Sequence, residues 1–153
     1  MSPVSHHFPD SFFRVSVKAL IRNGDSILLQ HEPAPKDWWD MPGGGIDFSE
    51  TPQEALAREL REEMGFMALR IADHPTYSWT ERVHNHRGLA WFYTLTLCYE
   101  AQVDSNTFKP SDECDHFDFF DKTALQPLLI WTASEKLKTV FHPHDLSFGS
   151  GRN

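Results

Sequence analysis

From Phe13 onward the apolar residues Phe13, Val15, Val17, Ala19 and Ile21 alternate with Arg14, Ser16 and Lys18, the period of two that a half-buried strand imposes. Asn23-Gly24 separates this run from Ser26-Ile27-Leu28-Leu29-Gln30. Asn and Gly accept the positive φ angles of a type I′ turn, so the pattern predicts a β-hairpin. Pro33, Pro35, Pro42 and the triplet Gly43-Gly44-Gly45 then mark irregular backbone around Trp38 and Trp39. Next comes a fully punctuated helix. Thr51 is its N-cap, Pro52 its first residue, Glu54 stands where a capping box requires it and Gly65 stops it, which predicts a helix over Pro52–Met64.

Farther on, Thr76–Trp79 reads as a short strand, Thr80–Gly88 as a polar loop and Leu89–Val103 as a long strand with Leu89, Trp91, Tyr93, Leu95, Leu97 and Tyr99 on one face. Phe117–Phe120 adds a short strand. Asp121 is placed to cap a helical stretch carrying Leu125, Leu128, Leu129, Leu137, Val140 and Phe141. Residues 1–11 read as a flexible N-terminal arm, 12–141 as a single domain and 142–153 as a flexible tail. Strands and helices interspersed around one core define the α/β class.

Composition narrows the function classes. The 153 residues suit one ordinary domain, and 14 Lys+Arg against 22 Asp+Glu leave a formal charge of −8. That sign disfavours a protein held to a nucleic acid duplex by phosphate neutralisation. The longest apolar runs, Leu89–Tyr93 and Leu128–Trp131, fall far short of the roughly 18 residues of a spanning helix, so no membrane partner is expected. No apolar stretch long enough for a signal-peptide core precedes Arg14, and Cys98 and Cys114 lack the spacing of a zinc or redox motif. Reduced thiols in a cytoplasmic protein are the expectation.

The chemistry concentrates on the punctuated helix. Gly44, Glu50, Arg58, Glu59, Leu60, Glu62, Glu63, Gly65 and Phe66 occupy nine positions of a 23-residue stretch. On a helical wheel Glu59, Glu62 and Glu63 fall within a sector about 100° wide, and Leu56, Ala57, Leu60 and Met64 form the neighbouring apolar stripe. Like charges three and four residues apart repel unless a cation intervenes. Hard oxygen ligands suit Mg²⁺ or Mn²⁺, and Mg²⁺ completes its shell with water and substrate phosphate. The glycine triplet lets backbone approach the same ions because Gly carries no Cβ. A solvated helix with Glu54–Arg58 and Arg58–Glu62 pairs would account for the charges alone, but not for the wider spacing.

That spacing, G-x5-E-x7-R-E-L-x-E-E-x-G-F from Gly44 to Phe66, resembles the signature box of the Nudix hydrolases, and Trp39-Asp40-Met41-Pro42-Gly43 is similar to its usual lead-in. The resemblance implies an α/β/α sandwich with a mixed β-sheet between helices. It also implies divalent-metal-dependent hydrolysis of a nucleoside diphosphate linked to another moiety, by water attack on phosphorus. Glu59, Glu62 and Glu63 stand at the family's metal-binding positions, and the Gly44 carbonyl lies where it contributes. Arg58 is expected to orient a carboxylate, Glu50 or one of the ridge, and Glu62 or Glu63 to act as general base. A further acid from a loop beyond the central strands is expected among Asp112, Glu113, Asp115 and Asp118, with Glu113 the choice. A homodimer is compatible with the family. Asp47 and Ser49 depart from the family's frequent Glu and Gly without touching a fixed position.

Trp38, Tyr77 and Arg14 are the candidate substrate contacts, the aromatics as stacking platforms and Arg14 for a phosphate or base; His31 and Lys36 share that last possibility. His84 and His86 flank Asn85 without a third soft ligand. Two competing readings carry less. An isoprenoid diphosphate isomerase would need a catalytic Cys or second motif that is not evident, and a catalytically silent, Nudix-like nucleotide-binding sensor has no need of three adjacent carboxylates.

Overall fold

A computed structural model describes residues 13–86 and 89–148; the expected N-terminal arm lies outside them. Strand β1 (Phe13–Leu20) runs parallel to the long β8 (Leu89–Asp104), from Phe13 opposite Tyr93 to Leu20 opposite Glu100. On its other edge β1 pairs antiparallel with β5 (Gly43–Gly45). β8 pairs antiparallel with β7 (Tyr77–His86) through Cys98 and with β6 (Met67–Ile71) from Ala101 onward. One parallel pair among antiparallel ones makes this sheet mixed.

A second, antiparallel sheet centres on β3 (Ser26–Glu32), which pairs with β2 (Arg22–Asn23), β4 (Trp38–Asp40) and β9 (His116–Phe120). The predicted hairpin is therefore only half present. The chain leaves the first sheet at Ile21, and the hairpin is β2–β3, closed by Gly24-Asp25 because Asn23 faces Ser26. Gly24 alone supplies a positive φ, 61°, so the turn sits one residue later than expected.

Helix α1 (Pro52–Met64) forms over the predicted residues and for the predicted reasons. Thr51 Oγ1 accepts from the Glu54 N–H, and Gly65 adopts φ 68° and returns its N–H to the Arg61 carbonyl. Ala55, Leu56, Leu60 and Met64 are buried against Val17, Ala19, Ile21, Leu28, Tyr99 and Ala101. Each large side chain so buried contributes roughly 1.5–3 kcal/mol. On the opposite side Leu20, Ile27, Leu29, Met41 and Cys98 are covered by Leu125, Ile130, Leu137, Phe141 and Leu146, which come from or flank the short helices α2 (Lys122–Leu125) and α3 (Leu137–Val140). Sheets between helical layers give the α/β/α sandwich. Among the described residues no helix is long and apolar enough to cross a membrane.

Three segments differ from expectation. The polar stretch after Thr80 continues β7 as far as His86, because its backbone pairs with β8; His84 is therefore a strand residue. The apolar pattern from Leu125 to Phe141 is interrupted, since the Trp39 N–H donates to the Leu129 carbonyl and the Trp131 N–H to the Trp39 carbonyl. The first part of the expected tail is held. A 3₁₀ turn covers Pro143–Asp145, Leu146 and Phe148 are buried, and the N–H groups of Ser147 and Phe148 each donate to the buried Glu100 carboxylate at 2.7 Å. A carboxylate buried on a central strand needs such donors.

Candidate active site

The glycine triplet, one face of β1 (Arg14, Ser16 and Lys18) and the acidic face of α1 meet at a cleft of about 230 Å³. Register explains the triplet. Gly43 lies opposite Lys18 with φ 133°, and a Cβ there would sit 2.0 Å from the Val17 carbonyl oxygen. At Gly44 a Cβ would lie 2.8 Å from the Glu59 carboxyl carbon. Glycine thus lets β5 pass between β1 and the carboxylates of α1.

Glu59 and Glu63, one helical turn apart, both line the cleft, and Glu113 joins them: one oxygen from each lies within 4.8 Å of the others. Glu113 arrives there because the 109–114 loop is tied to the end of α1. The Lys109 N–H donates to the Met64 carbonyl at 2.8 Å, Ser111 Oγ donates to the Glu63 carbonyl at 2.6 Å, and the Glu113 N–H donates to Ser111 Oγ. Glu62 is not among the lining residues. Its side chain is 58% exposed and accepts from Arg58 Nη1 at 3.2 Å.

Arg58 is the hub of the carboxylates. Nε and Nη2 hold the two oxygens of Glu50, Nη1 donates to Glu59 Oε1 at 3.0 Å, and Nη2 also donates to the Gly45 carbonyl at 3.1 Å. The hydrogen bonds from Arg58 outweigh partial burial and hold the Glu50 carboxyl below its ordinary range. Glu50 also accepts the Asp47 N–H at 2.8 Å, and the chain between them turns through Ser49 at φ 74°. That left-handed angle is the one at which glycine is least strained.

Glu63 is the buried member of the cluster, 5% exposed, with Oε2 accepting from Gln30 Nε2 at 2.8 Å and from the Gly43 N–H at 3.3 Å. Burial pushes its carboxyl well above the usual carboxylate range; Lys18 opposes the shift and Glu59 adds to it. Lys18 itself is buried. It donates to Asp40 Oδ2 at 2.9 Å and to the carbonyls of Met41 and Gly43, while Asp40 Oδ1 accepts from Ser134 Oγ at 2.6 Å. Burial works against the ammonium, yet Asp40 and Glu63 together raise it above the ordinary lysine value. Gln30 Oε1 is buried without a protein partner.

Of the candidate substrate contacts, Arg14 and Trp38 line the cleft and Tyr77 does not. The Tyr77 hydroxyl is 2.7 Å from Asp145 Oδ2 and accepts the His142 N–H, so this ring fastens the C-terminal turn. Trp38 lies 5.1 Å from the Trp131 ring, donates from Nε1 to Glu32 and carries Lys36 above its face at 5.7 Å. Trp39 faces away, packed edge-on against Phe120. The wall and floor residues Lys18, Thr94, Thr96, Phe92, Trp131 and Ala133 were not singled out from sequence as site residues, and Asp40 was noted only within the Trp39–Gly43 lead-in. Lys18 entered the sequence reading only as a polar position alternating in the first strand.

A mixed-sheet α/β/α sandwich with an acidic helix facing a glycine strand defines a class, and comparison with known proteins agrees. The family model of the NUDIX domain matches residues 12–141, and the chain belongs to the Nudix hydrolases. It is 47% identical over 53 residues to an RNA pyrophosphohydrolase of Halorhodospira halophila, a match covering 35% of this chain and 29% of that protein. It is 32% identical to the CTP pyrophosphohydrolase of Escherichia coli, covering 49% of this chain and 72% of that one. The chain spans 29% and 33% of the length of the Halorhodospira protein and of a second RNA pyrophosphohydrolase, from Acinetobacter baylyi. Among solved structures, the E. coli ORF135 protein superposes with TM-score 0.67 at 24% identity, covering 86% of this chain and 89% of that one. A MutT NUDIX hydrolase from Burkholderia pseudomallei gives 0.65 at 24%, covering 86% and 100%. At that identity the structures speak for the fold.

Proposed function

We propose that this chain is a cytoplasmic, divalent-metal-dependent pyrophosphohydrolase that cleaves a nucleoside diphosphate linked to another moiety by water attack on phosphorus. The observation that carries the reading is a single cleft lined on one side by Glu59, Glu63 and Glu113 and elsewhere by Arg14, Lys18, Lys36 and Trp38. Carboxylates of that kind repel unless a cation joins them. Cations and an aromatic face suit the phosphates and base of a nucleotide.

The residues fit Mg²⁺ or Mn²⁺. The donors are all oxygen, and the absent Cβ at Gly44 leaves room beside Glu59 that any other side chain would fill. Glu59, Glu63, Glu113 and the Gly44 carbonyl would hold the metal. When bound, it shields substrate charge, acidifies water and stabilises the departing phosphate.

The protein's own contribution is positional. Arg58 locks Glu50 and steadies Glu59; Gln30 and the Gly43 N–H fix Glu63; the 109–114 loop presents Glu113. A carboxylate of this cluster accepts the proton of the attacking water. Glu62, outside the cleft lining, acts through Arg58 instead. Arg14 and Lys36 meet phosphate oxygens, and Trp38 supports the base.

Release of phosphate or nucleotide from a panel of nucleoside triphosphates, dinucleoside polyphosphates and nucleotide sugars, with Mg²⁺, Mn²⁺ or chelator, tests this. Metal-dependent turnover of one class is expected. Nucleotide binding without turnover across the panel would instead indicate a sensor domain.

A further inference from the structure

Beside the cleft, but not lining it, three rings stand in a row across the second sheet. β-pairing puts His31 of β3 opposite Trp39 of β4 on one side and His116 of β9 on the other. Directly paired residues project from the same face. The His31 and His116 rings are 4.6 Å apart, and Trp39 meets both edge-on at 5.1 and 5.2 Å. Asp115 precedes β9 and is anchored there, its N–H donating to the His31 carbonyl at 3.1 Å. Asp115 Oδ1 lies 2.8 Å from His31 Nδ1 and 2.7 Å from His116 Nδ1. The far nitrogen of His31, Nε2, is 2.9 Å from Asp37 Oδ1.

We propose that His31, Asp115 and His116 form a second metal site, distinct from the acidic cluster and selective for a borderline transition ion such as Zn²⁺. This proposal is independent of the hydrolase reading. Imidazole nitrogens suit Zn²⁺, Co²⁺, Ni²⁺ and Cu²⁺, whereas Mg²⁺ prefers an all-oxygen set. The three ligand atoms lie within 4.8 Å of one another. Two imidazoles on one tetrahedral ion have ring centres roughly 5.2 Å apart, given metal–nitrogen distances near 2.0–2.1 Å, so the pair here, stacked at 4.6 Å and 29°, has to open by roughly half an ångström and turn to share an ion.

The strongest feature is Asp37. A histidine that ligates metal through one nitrogen characteristically gives its other N–H to a carboxylate, which fixes the tautomer and turns the free lone pair toward the ion. The Asp37–His31 contact supplies this, with Nδ1 left facing Asp115 and His116. Three protein ligands with a solvent-facing side form an open site.

Adaptation to the ion is small. The Nδ1 to Oδ1 separations must widen to roughly 3.3 Å, the edge of a tetrahedron around Zn²⁺. Asp115 and His116, 44% and 57% exposed, have room to move. Binding replaces hydrogens at the two Nδ1 atoms and leaves both rings as neutral Nε2–H tautomers. Because Asp115 directly follows the 109–114 loop that carries Glu113, an ion here also ties down the segment that completes the acidic cluster.

The full-length protein in saturating Mg²⁺ is titrated with Co²⁺, whose ligand-field absorption reports nitrogen-containing coordination, and then with Zn²⁺. One equivalent of Co²⁺ is expected to bind and to be displaced by Zn²⁺ but not by Mg²⁺. His116→Ala and Asp115→Asn are expected to weaken binding by at least about tenfold, the lower end of what loss of a supporting metal-site group costs, and Glu63→Gln to leave it unchanged. His116 is exposed, so its variant should retain the native circular dichroism spectrum, which is checked alongside. Absence of Co²⁺ binding, binding that survives His116→Ala, or binding that disappears with Glu63→Gln would each overturn the proposal.

Discussion

Arg58 grips Glu50 with two parallel hydrogen bonds, Nε to Oε2 at 2.7 Å and Nη2 to Oε1 at 2.9 Å, across eight positions of sequence. The same guanidinium reaches Glu59, Glu62 and the Gly45 carbonyl. It therefore neutralises the outer side of the acidic face, shares one oxygen of Glu59, and leaves Glu63 with the rest of Glu59 facing the cleft, where the proposed cation would join them. Lysine would keep the charge and lose the fork. Arg58→Lys should lower kcat/KM or divalent-metal affinity by about 10–100-fold, the usual effect of losing a group that orients metal ligands. Steady-state kinetics over a Mg²⁺ series checks this; unchanged values would mean that Arg58 is only a surface ion-pair partner.

The glycine triplet separates a folding role from a site role. Gly43→Ala would drive a methyl into the Val17 carbonyl, and should destabilise the fold by on the order of 3 kcal/mol or more, in the range of severe backbone and packing conflicts. Gly44→Ala meets the Glu59 carboxylate, a movable side chain. It should leave the thermal midpoint nearly intact while weakening metal-dependent activity. Thermal melts beside activity assays distinguish the two, and equal loss of stability in both variants would contradict this division.

Ser49 spends its backbone at φ 74°. A non-glycine residue held in the left-handed region is strained by about 1 kcal/mol, and glycine relieves that strain at the cost of a more flexible unfolded chain. Ser49→Gly should be neutral to stabilising by up to about 1 kcal/mol, with Arg58–Glu50 unaffected. Chemical denaturation measures it; a clear destabilisation would show that the serine side chain makes an unrecognised contribution.

Cys98 is fully buried between sheet and helical layer, and burial pushes its thiol above the ordinary value of 9.0, with Lys18 opposing and Asp40 adding. A folded pKa above the unfolded one means that the native state binds more protons between the two. Its stabilising effect is complete below about pH 9 and declines as pH rises beyond. Stability should therefore fall above pH 9, less so in Cys98→Val, and a thiol reagent at pH 8 should modify the native protein only slowly. Rapid labelling of Cys98 without unfolding would contradict its burial.

How far the sequence could be read depended on whether the signal was local. Thr51, Pro52, Glu54 and Gly65 punctuate α1 through bonds within one or two turns, and the helix formed as written. The wheel put Glu59, Glu62 and Glu63 in one sector, but Glu62 and Glu63 bracket that sector. Only Glu59 and Glu63, about 40° apart at four-residue spacing, face the cleft together. Lys18 escaped notice because alternation assumes one wet face, and here helices cover both; Val17, Lys18, Ala19 and Leu20 are all buried. The same covering hides Thr94, Thr96 and Glu100. Tyr77 and the 142–148 segment were misjudged for a related reason. Their partners, Asp145 for Tyr77 and Glu100 for the Ser147 and Phe148 amides, lie 47 to 68 positions away, beyond any local pattern.

In the proposed mechanism the carboxylates of Glu59, Glu63 and Glu113 together hold the metal that hydrolysis requires. The most direct measurement is turnover of the best substrate across a Mg²⁺ titration for the native protein, Glu63→Gln and Glu113→Gln, with thermal midpoints recorded without metal. Removing one charge from a repelling cluster should leave the metal-free midpoint unchanged or higher, while Glu63→Gln loses about 10²–10⁴-fold in activity together with metal affinity. Glu113→Gln should shift the Mg²⁺ dependence in the same direction by a smaller amount. Full activity in Glu63→Gln with an unaltered Mg²⁺ response would contradict the account.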